Sequence, residues 1–317
     1  MNVCPACDSR SVCLFEKNFY SFEEQHYDLA RCEGCGLIRV APMPERDRIA
    51  RMYNAGYFKN DWSLGFVGDY LSDFEKRRDE FEKILVAFGA PKTNARLLEF
   101  GSAGGAFVHL AASKGWCAEG VEISEWGVSS AKEKYGLNLQ HCNLLDAKLK
   151  SGAYDAIFLG DVFEHVDDPV EVLRFIYDKL KPGGKVGFLL PMYLSSPVYL
   201  WVRAIGNIVR LAALPPSVMS ILKLNKEKVS PPYHLFEYSP RTIRAILKRN
   251  NFHFLKLRGL LPYPDSLLRG VAGESAIGYL TRGLAKCIYG AVKYSSENLN
   301  IPILRALVLA EKKSNHA

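Results

Sequence analysis

Residues 97–107 read Leu-Leu-Glu-Phe-Gly-Ser-Ala-Gly-Gly-Ala-Phe. An apolar run ends there in a cluster of glycines and passes at once into a helical pattern. Leu97, Leu98 and Phe100 suit a strand buried on both faces. Gly101, Gly104 and Gly105 allow a sharp turn, and Ala106 to Lys114 suits a helix closed by Gly115. Strand, glycine turn and helix N-terminus together present backbone N–H groups to a nucleotide-like ligand. Few folds accept that sequence of elements other than an open sheet with helices on its faces.

The rest of the chain repeats the alternation. Short strands are expected to end at Gly120–Ile123 and to span Leu137–Cys142, Asp155–Gly160 and Val186–Leu190. Between them, Ser124 caps a helix running through Lys134. A second helix, Val170–Leu180, is ended by Lys181-Pro182-Gly183-Gly184. Phe252–Leu257 and Ala306–Ala310 read as the last two strands, and Ser239 with Pro240 starts a helix before them. Such βαβ alternation implies a doubly wound, mostly parallel sheet with ligands at the carboxyl ends of its strands. Glu122 lies about 20 residues beyond the glycine turn, the place of a carboxylate that accepts from ribose hydroxyls. A surface glutamate at a strand end is the plain alternative.

Two cysteine pairs precede this region, Cys4-Pro-Ala-Cys7 and Cys32-Glu-Gly-Cys35, with 24 residues between them. Each pair is a knuckle that bends around one ion, and four thiolates make a closed tetrahedral zinc site. Val12–Phe15, Tyr27–Ala30 and Leu37–Val40 supply the short strands of a zinc ribbon. A closed four-thiolate site supports folding rather than catalysis. Cys13, Cys117, Cys142 and Cys287 are expected to be reduced thiols in or near the core. Pro42 and Pro44 mark a boundary. Helical patterns follow at Arg48–Tyr53 and Phe74–Phe88, on either side of a turn at Gly65–Gly68. The organisation expected is a ribbon over 1–43 and a helical linker and cap over 44–90. A large domain over 91–317 carries helical insertions near 194–228 and 264–300.

The 317 residues have a formal net charge of +7, concentrated toward one end. Residues 201–317 hold 18 Lys and Arg against 6 Asp and Glu. Residues 198–214 and 276–293 are amphipathic, with Arg203, Arg210, Arg282, Lys286 and Lys293 on their polar faces. Such helices serve as a lid over the core or lie on an anionic membrane surface. No run of about 18 uncharged apolar residues is present, and the opening residues lack an export-signal pattern. A cytoplasmic protein, at most peripheral at the membrane, is the expectation. Basic charge without interleaved aromatics gives no sign of a nucleic-acid partner.

Taken in order, EFGSAGG, GVEIS, YDAIFLGDVFEHVDDP and LKPGG resemble a class I S-adenosylmethionine-dependent methyltransferase, over about 95 residues. The cysteine pairs, RCEGCGL and PPYHLFEYSP are similar to a subgroup with an N-terminal zinc ribbon, found among sugar and cell-envelope methyltransferases. A nicotinamide-binding Rossmann domain is the rival for the glycine turn, and FEHV and LKPGG disfavour it. The resemblance implies a Rossmann-like seven-stranded sheet and S-adenosylmethionine as cofactor. It implies that Glu99, Gly101, Ser102 and Gly105 border the cofactor's amino-acid part. Glu122 would hold its ribose, Ile123 its adenine face, and Asn143 and Leu144 the adenine edge. Asp161 and Val162 would lie beneath the sulfonium. Ala103 departs from the family's middle glycine.

Methyl transfer asks the protein to align two reactants and to remove a proton where the acceptor carries one. His165 and His234 are the candidates for proton work, with loop ordering as the structural alternative for His165. Tyr53 and Tyr57 are placed to close over the site or to pack on the core. The acceptor implied is a small molecule, a sugar or a lipid-linked cell-envelope precursor, methylated on oxygen or carbon. An RNA or protein methyltransferase and a non-catalytic cofactor-binding module are the alternatives.

Overall fold

A computed structural model of the chain describes residues 3–52, 74–192, 194, 196, 231–260, 290, 293–296, 298 and 305–313. Tyr53, Tyr57, Cys287, the 65–68 turn and the amphipathic stretches 198–214 and 276–293 (positions 290 and 293 excepted) lie outside the described residues.

The N-terminal unit holds β1 (Val12–Phe22), β2 (Gln25–Cys32) and β3 (Ile38–Ala41). β1 is longer than Val12–Phe15 because two register shifts, at Leu14/Glu16 and Glu16/Tyr20, hide its alternation. Tyr20, Tyr27, Leu29, Ile38 and Val40 form its small core. Of the thiols expected in or near the core, Cys142 is half-buried and packs against it, whereas Cys13 and Cys117 are exposed. Cys13 lies on the outer strand of its sheet, and Cys117 is the first residue of β5. After α1 (Arg46–Met52), the chain is next described at α2 (Phe74–Phe88).

The main sheet begins with β4 (Arg96–Phe100) and α3 (Ala106–Ser113), followed by β5 (Cys117–Glu122) and α4 (Glu125–Tyr135). Then come β6 (Gln140–His141), β7 (Tyr154–Gly160), α5 (Pro169–Lys179) and β8 (Leu180–Pro191). The later elements are β9 (Phe236–Glu237), α6 (Pro240–Arg249), β10 (Phe252–Leu260) and β11 (Arg305–Lys312). Seven strands lie in the order β10-β11-β8-β7-β4-β5-β6. β6, β5, β4, β7 and β8 are parallel, and β11 runs antiparallel to both its neighbours. The expected Rossmann-like, mostly parallel seven-stranded sheet is therefore present.

Adjacent residues of the central strands feed opposite cores, as a sheet covered on both sides requires. Leu97, Ala156 and Phe158 pack with Phe81, Ile84, Leu85 and Phe88 of α2 and with Phe107 and Leu110 of α3. Leu98, Phe100, Ile157 and Leu159 face Val172, Leu173 and Ile176 of α5 and Ile243, Ile246 and Leu247 of α6. Two expected boundaries move. Leu137 and Leu139 pack with Val108 and Ala131 instead of pairing, which leaves β6 two residues long. Leu180 already pairs with Tyr154 while the next pair joins Ala156 to Lys185, so Lys181–Gly184 is a bulge within β8 rather than a turn before it.

The cysteine unit is not independent of this sheet. β9 adds antiparallel to β3, with Ile38 opposite Glu237 and Arg39 opposite Phe236. Cys4, Cys32, Cys35 and Leu37 share one apolar core with Leu235, Phe236 and Tyr238. Two polar links run the same way, Arg249 to Asp8 and Arg241 to the Gly34 carbonyl at 3.5 Å. Among the described residues, no helix is long and apolar enough to cross a membrane.

Candidate active site

The carboxyl end of β4 is where the geometry tightens. Gly101 N and Ser102 N both donate to the Val121 carbonyl of β5, at 2.9 and 3.1 Å. Gly101 has φ +69°, and a Cβ there would stand 2.4 Å from Val162 Cγ2. Gly105 has φ +75° and would press a Cβ against Leu137 and Ala131, at 2.9 and 3.0 Å. Both positions demand glycine on two counts, backbone conformation and space. Ala103 also sits in the left-handed region, at φ +46°, where an L-residue is strained. Its N–H donates to Glu122 Oε2 at 2.6 Å, and Ser124 N donates to Glu122 Oε1 at 2.8 Å.

The structure thus brings Gly101, Ser102, Gly105, Glu122 and Val162 together at neighbouring strand ends. Ser102 turns its hydroxyl inward to the Glu99 carbonyl at 3.1 Å, leaving its backbone on the cavity side. Glu122 is only 4% exposed, and burial raises its pKa, opposed by the amides it accepts from. Ile123 beside it is 54% exposed, and Trp126, in the following helical turn, is also exposed, an apolar surface suited to a flat ring. Cys142 N donates to the Glu122 carbonyl at 3.1 Å, which fixes the start of the next loop. There Asn143 accepts from Leu145 N at 3.3 Å and opens a 3₁₀ turn over Leu144–Asp146.

A cavity opens beside the turn, bordered by Glu99, Ala103, Gly104 and Gly160 and by Arg77 and Phe81 of α2. Glu99 is 5% exposed, and its Oε2 has no hydrogen-bond partner. Burial pushes its pKa up to about 8, with Arg77 pulling the other way. A buried acid beside a guanidinium, both on one cavity, matches the two charges of an amino acid's head group. Arg77 escapes a reading of motifs because it lies in a helix whose amphipathic pattern explains it equally well. Its position facing the strand ends is set by α2 packing on α3 and the sheet.

Asp161, also in the left-handed region at φ +55°, points its carboxylate at Arg305 of β11. Arg305 binds Glu80 at 3.2 Å, Glu80 binds Arg77 at 3.0 Å, and Arg77 lies 3.9 Å from Asp161. Burial would raise Glu80, yet Arg305 and Arg77 hold its pKa below the ordinary value. This half-buried square of two acids and two arginines joins residues more than 200 positions apart.

Both candidate histidines are found together beyond β7. His165 ends a 3₁₀ turn, Phe163–His165, and its ring centre lies 5.0 Å from that of His234. His165 Nδ1 meets the Tyr233 carbonyl at 2.8 Å, and His234 Nδ1 meets Glu237 Oε1 at 3.2 Å. Burial first, then His234, pushes His165 down to about 3, so its ring is neutral. Glu164 is 1% exposed, and burial, reinforced by Asp161, raises its pKa well above the carboxylate range. Leu235 N donates to the Glu164 carbonyl at 2.9 Å, which draws the His234 segment onto this turn.

The four N-terminal thiols also converge. Cys4 Sγ is 3.5 Å from Cys35 Sγ and Cys7 Sγ is 3.5 Å from Cys32 Sγ, with all four within 4.8 Å. Thiolates about 2.3 Å from a tetrahedral ion stand about 3.8 Å apart, so the set fits zinc. Burial raises the Cys4 and Cys35 thiols, while hydrogen bonds from the Cys35 backbone and the neighbouring thiols lower Cys32 to about 6.

A mostly parallel seven-stranded sheet in which β11 alone runs antiparallel to its neighbours, with a glycine turn after the central strand β4, is the class I methyltransferase fold. Residues 74–257, more than half of the chain, match the family model described as a methyltransferase domain. The chain belongs to that family. It is 25% identical over 197 residues to a ubiquinone biosynthesis O-methyltransferase of Nitrosococcus oceani, covering 60% of this chain and 77% of that protein. It is 29% identical over 155 residues to phosphoethanolamine N-methyltransferase 2 of Caenorhabditis elegans, covering 44% of this chain and 32% of that protein. The chain spans between 32% and 46% of the length of the first curated relatives it matches. Among solved structures, geranyl diphosphate C-methyltransferase from Streptomyces coelicolor A3(2) is 16% identical with a TM-score of 0.49, over 78% of this chain and 85% of that one.

Two outcomes test the geometry of the turn. Ala103→Gly relieves the left-handed strain and should raise stability by about 1 kcal/mol, whereas Gly101→Ala should cost about 2–4 kcal/mol, both read by denaturant unfolding. Glu99 supplies a pH test. Its folded pKa of about 8 lies above the unfolded value, so its favourable contribution is complete at acid pH and disappears as pH rises toward 8. Glu99→Gln removes that titration. Thermal melts of the cofactor-free variant should show a gain on the order of 2–4 kcal/mol over the parent near pH 8 and little difference near pH 4.

Proposed function

We propose that this chain is an S-adenosylmethionine-dependent methyltransferase acting on a small molecule, a sugar or a lipid-linked cell-envelope precursor, at oxygen or carbon. The observation that carries this reading is the join of the glycine turn to the buried Glu122 carboxylate across the ends of β4 and β5. When bound, S-adenosylmethionine supplies a methyl group on a cationic sulfur.

The chain's own residues divide the remaining work. Glu99 and Arg77 receive the ammonium and carboxylate of the cofactor's amino-acid part, along the backbone of Gly101, Ser102 and Gly105. Glu122 accepts from the ribose hydroxyls, Ile123 covers the adenine face, and Asn143 and Leu144 border its edge. Val162, packed on Gly101, shapes the floor beneath the sulfonium, while Asp161 fixes that floor through Arg305. His165 and His234 orient the acceptor and handle its proton, with Glu237 behind His234. Holding two reactants in line is the larger part of such catalysis. The four thiolates of Cys4, Cys7, Cys32 and Cys35 hold one structural zinc ion, and the basic stretches 198–214 and 276–293 suit an anionic or lipid-linked acceptor, at an acidic membrane surface where the acceptor resides there.

Calorimetry with S-adenosylmethionine and S-adenosylhomocysteine tests the reading directly. Binding is expected, weakened about 10-fold or more by Glu122→Gln and by Arg77→Ala, as for lost charge-assisted hydrogen bonds. Absence of binding at millimolar cofactor sinks it. Incubation with methyl-labelled cofactor and cell-envelope intermediates then reads the acceptor class. For the ribbon, elemental analysis should find one zinc per chain. Its removal by a chelator should lower the melting temperature and raise amide exchange in β3 and β9 ahead of β4 and β7. Unchanged exchange after removal would count against the zinc assignment.

A further inference from the structure

Proton handling leaves one group of the histidine cluster unaccounted for. Glu164 is almost wholly buried, and neither carboxylate oxygen has a hydrogen-bond partner. A carboxyl group in that state is costly unless a proton or a cation joins it. The residues around it are donors a cation would use. Glu164, His165 and His234 each offer one ligand atom, and the three atoms lie within 4.8 Å of one another. His165 Nε2 is 3.7 Å from Glu164 Oε1.

The backs of both rings are anchored. His165 holds a backbone carbonyl, that of Tyr233, at 2.8 Å through Nδ1, and His234 holds the Glu237 carboxylate at 3.2 Å through Nδ1. Metal-ligating histidines are oriented in these two ways, by a carbonyl or a carboxylate on the second ring nitrogen. The charges agree as well. Asp161 is paired with Arg305, so Glu164 and Glu237 are the carboxylates that face the two rings.

We propose that Glu164, His165 and His234 bind one divalent transition-metal ion, separate from the four-cysteine site, and that an oxygen of the acceptor completes its coordination. Two imidazoles and one carboxylate suit ions such as Mn²⁺, Co²⁺ or Zn²⁺ and leave positions open for a ligand. An ion about 2.0–2.2 Å from each donor draws the three atoms closer than they now stand, a movement of side-chain ends. The role given to the acceptor rests on the functional reading above; the ion site itself does not. His234 belongs to the segment that feeds β9, so the third ligand is presented by the strand that closes the ribbon's sheet.

The experiment is equilibrium dialysis of the full chain, its ribbon zinc-loaded, against Mn²⁺ and separately Co²⁺, with metal counted per chain. One ion beyond the ribbon zinc is expected. Glu164→Gln and the half-exposed His234→Asn should each weaken its binding at least 10-fold, with the zinc count and S-adenosylmethionine affinity unchanged. His234→Asn keeps the test decisive if the buried Glu164 variant does not fold. No second ion at millimolar Mn²⁺ or Co²⁺, or equal binding by the variants, overturns the proposal. Loss of cofactor binding in the parent chain would instead strike the methyltransferase reading and leave the ion count standing.

Discussion

Everything at the working end of this protein follows from how closely three strand ends approach one another at Gly101–Gly105. β5 accepts two amides of the turn on one carbonyl, that of Val121, and returns the Glu122 carboxylate to a third amide. Val162, leaving β7, fills the space a side chain at Gly101 would need. The turn is thereby clamped from both sides, and α3 starts at a fixed point above the sheet. A wider turn would release Glu122 into solvent and open the floor formed by Val162. The strained Ala103 persists because this surrounding structure over-determines its conformation.

The other organising feature is the short segment before α6. Within a few residues it supplies His234, pairs β9 to the cysteine unit, and caps α6 through Ser239, whose side chain and Thr242 satisfy each other's backbone N–H groups. Its Leu235 amide is held by the Glu164 carbonyl. The cysteine unit, the helix and the histidine cluster are consequently one mechanical assembly. That explains why Cys4, Cys35 and Leu37 occur in the same apolar core as Tyr238 and Ile243. The arginine square of Arg77, Glu80, Asp161 and Arg305 does the corresponding work on the opposite side, tying α2 to the end of β7 and to β11.

The parts of the fold legible in the sequence are those fixed by local pattern. The central strands carry uninterrupted apolar runs, and Ser124, Asp168 and Ser239 cap their helices as short polar side chains do. Pairs of cysteines with two residues between them announce their own convergence. What was not legible depends on distance along the chain. Nothing near Phe236 indicates that it will lie opposite Arg39, and nothing near Arg77 points to Arg305. The bulges in β1 disguise a long strand as a short one, and the bulge at Lys181–Gly184 looks like an ordinary turn. In the candidate site, the approach of Glu122 to the glycine turn was legible from spacing. Arg77 and Glu237 were not, because charged residues on helix and strand surfaces need no special explanation.

The position of β11 has a consequence for the order in which the molecule can be made. It separates β8 from β10 in the sheet although β10 precedes it in the chain. A ribosome therefore delivers β10, with α6 packed on it, before the strand that connects them to the sheet exists. Until residues 305–312 emerge, the edge of β8 from Val186 to Leu190 stands open, a run of apolar side chains with an unsatisfied row of backbone groups. Such an edge invites pairing with other chains, and its closure requires contacts across more than 100 residues, a slow step. Between the synthesis of β10 and that of β11, this edge is the surface that a chaperone would have to shield.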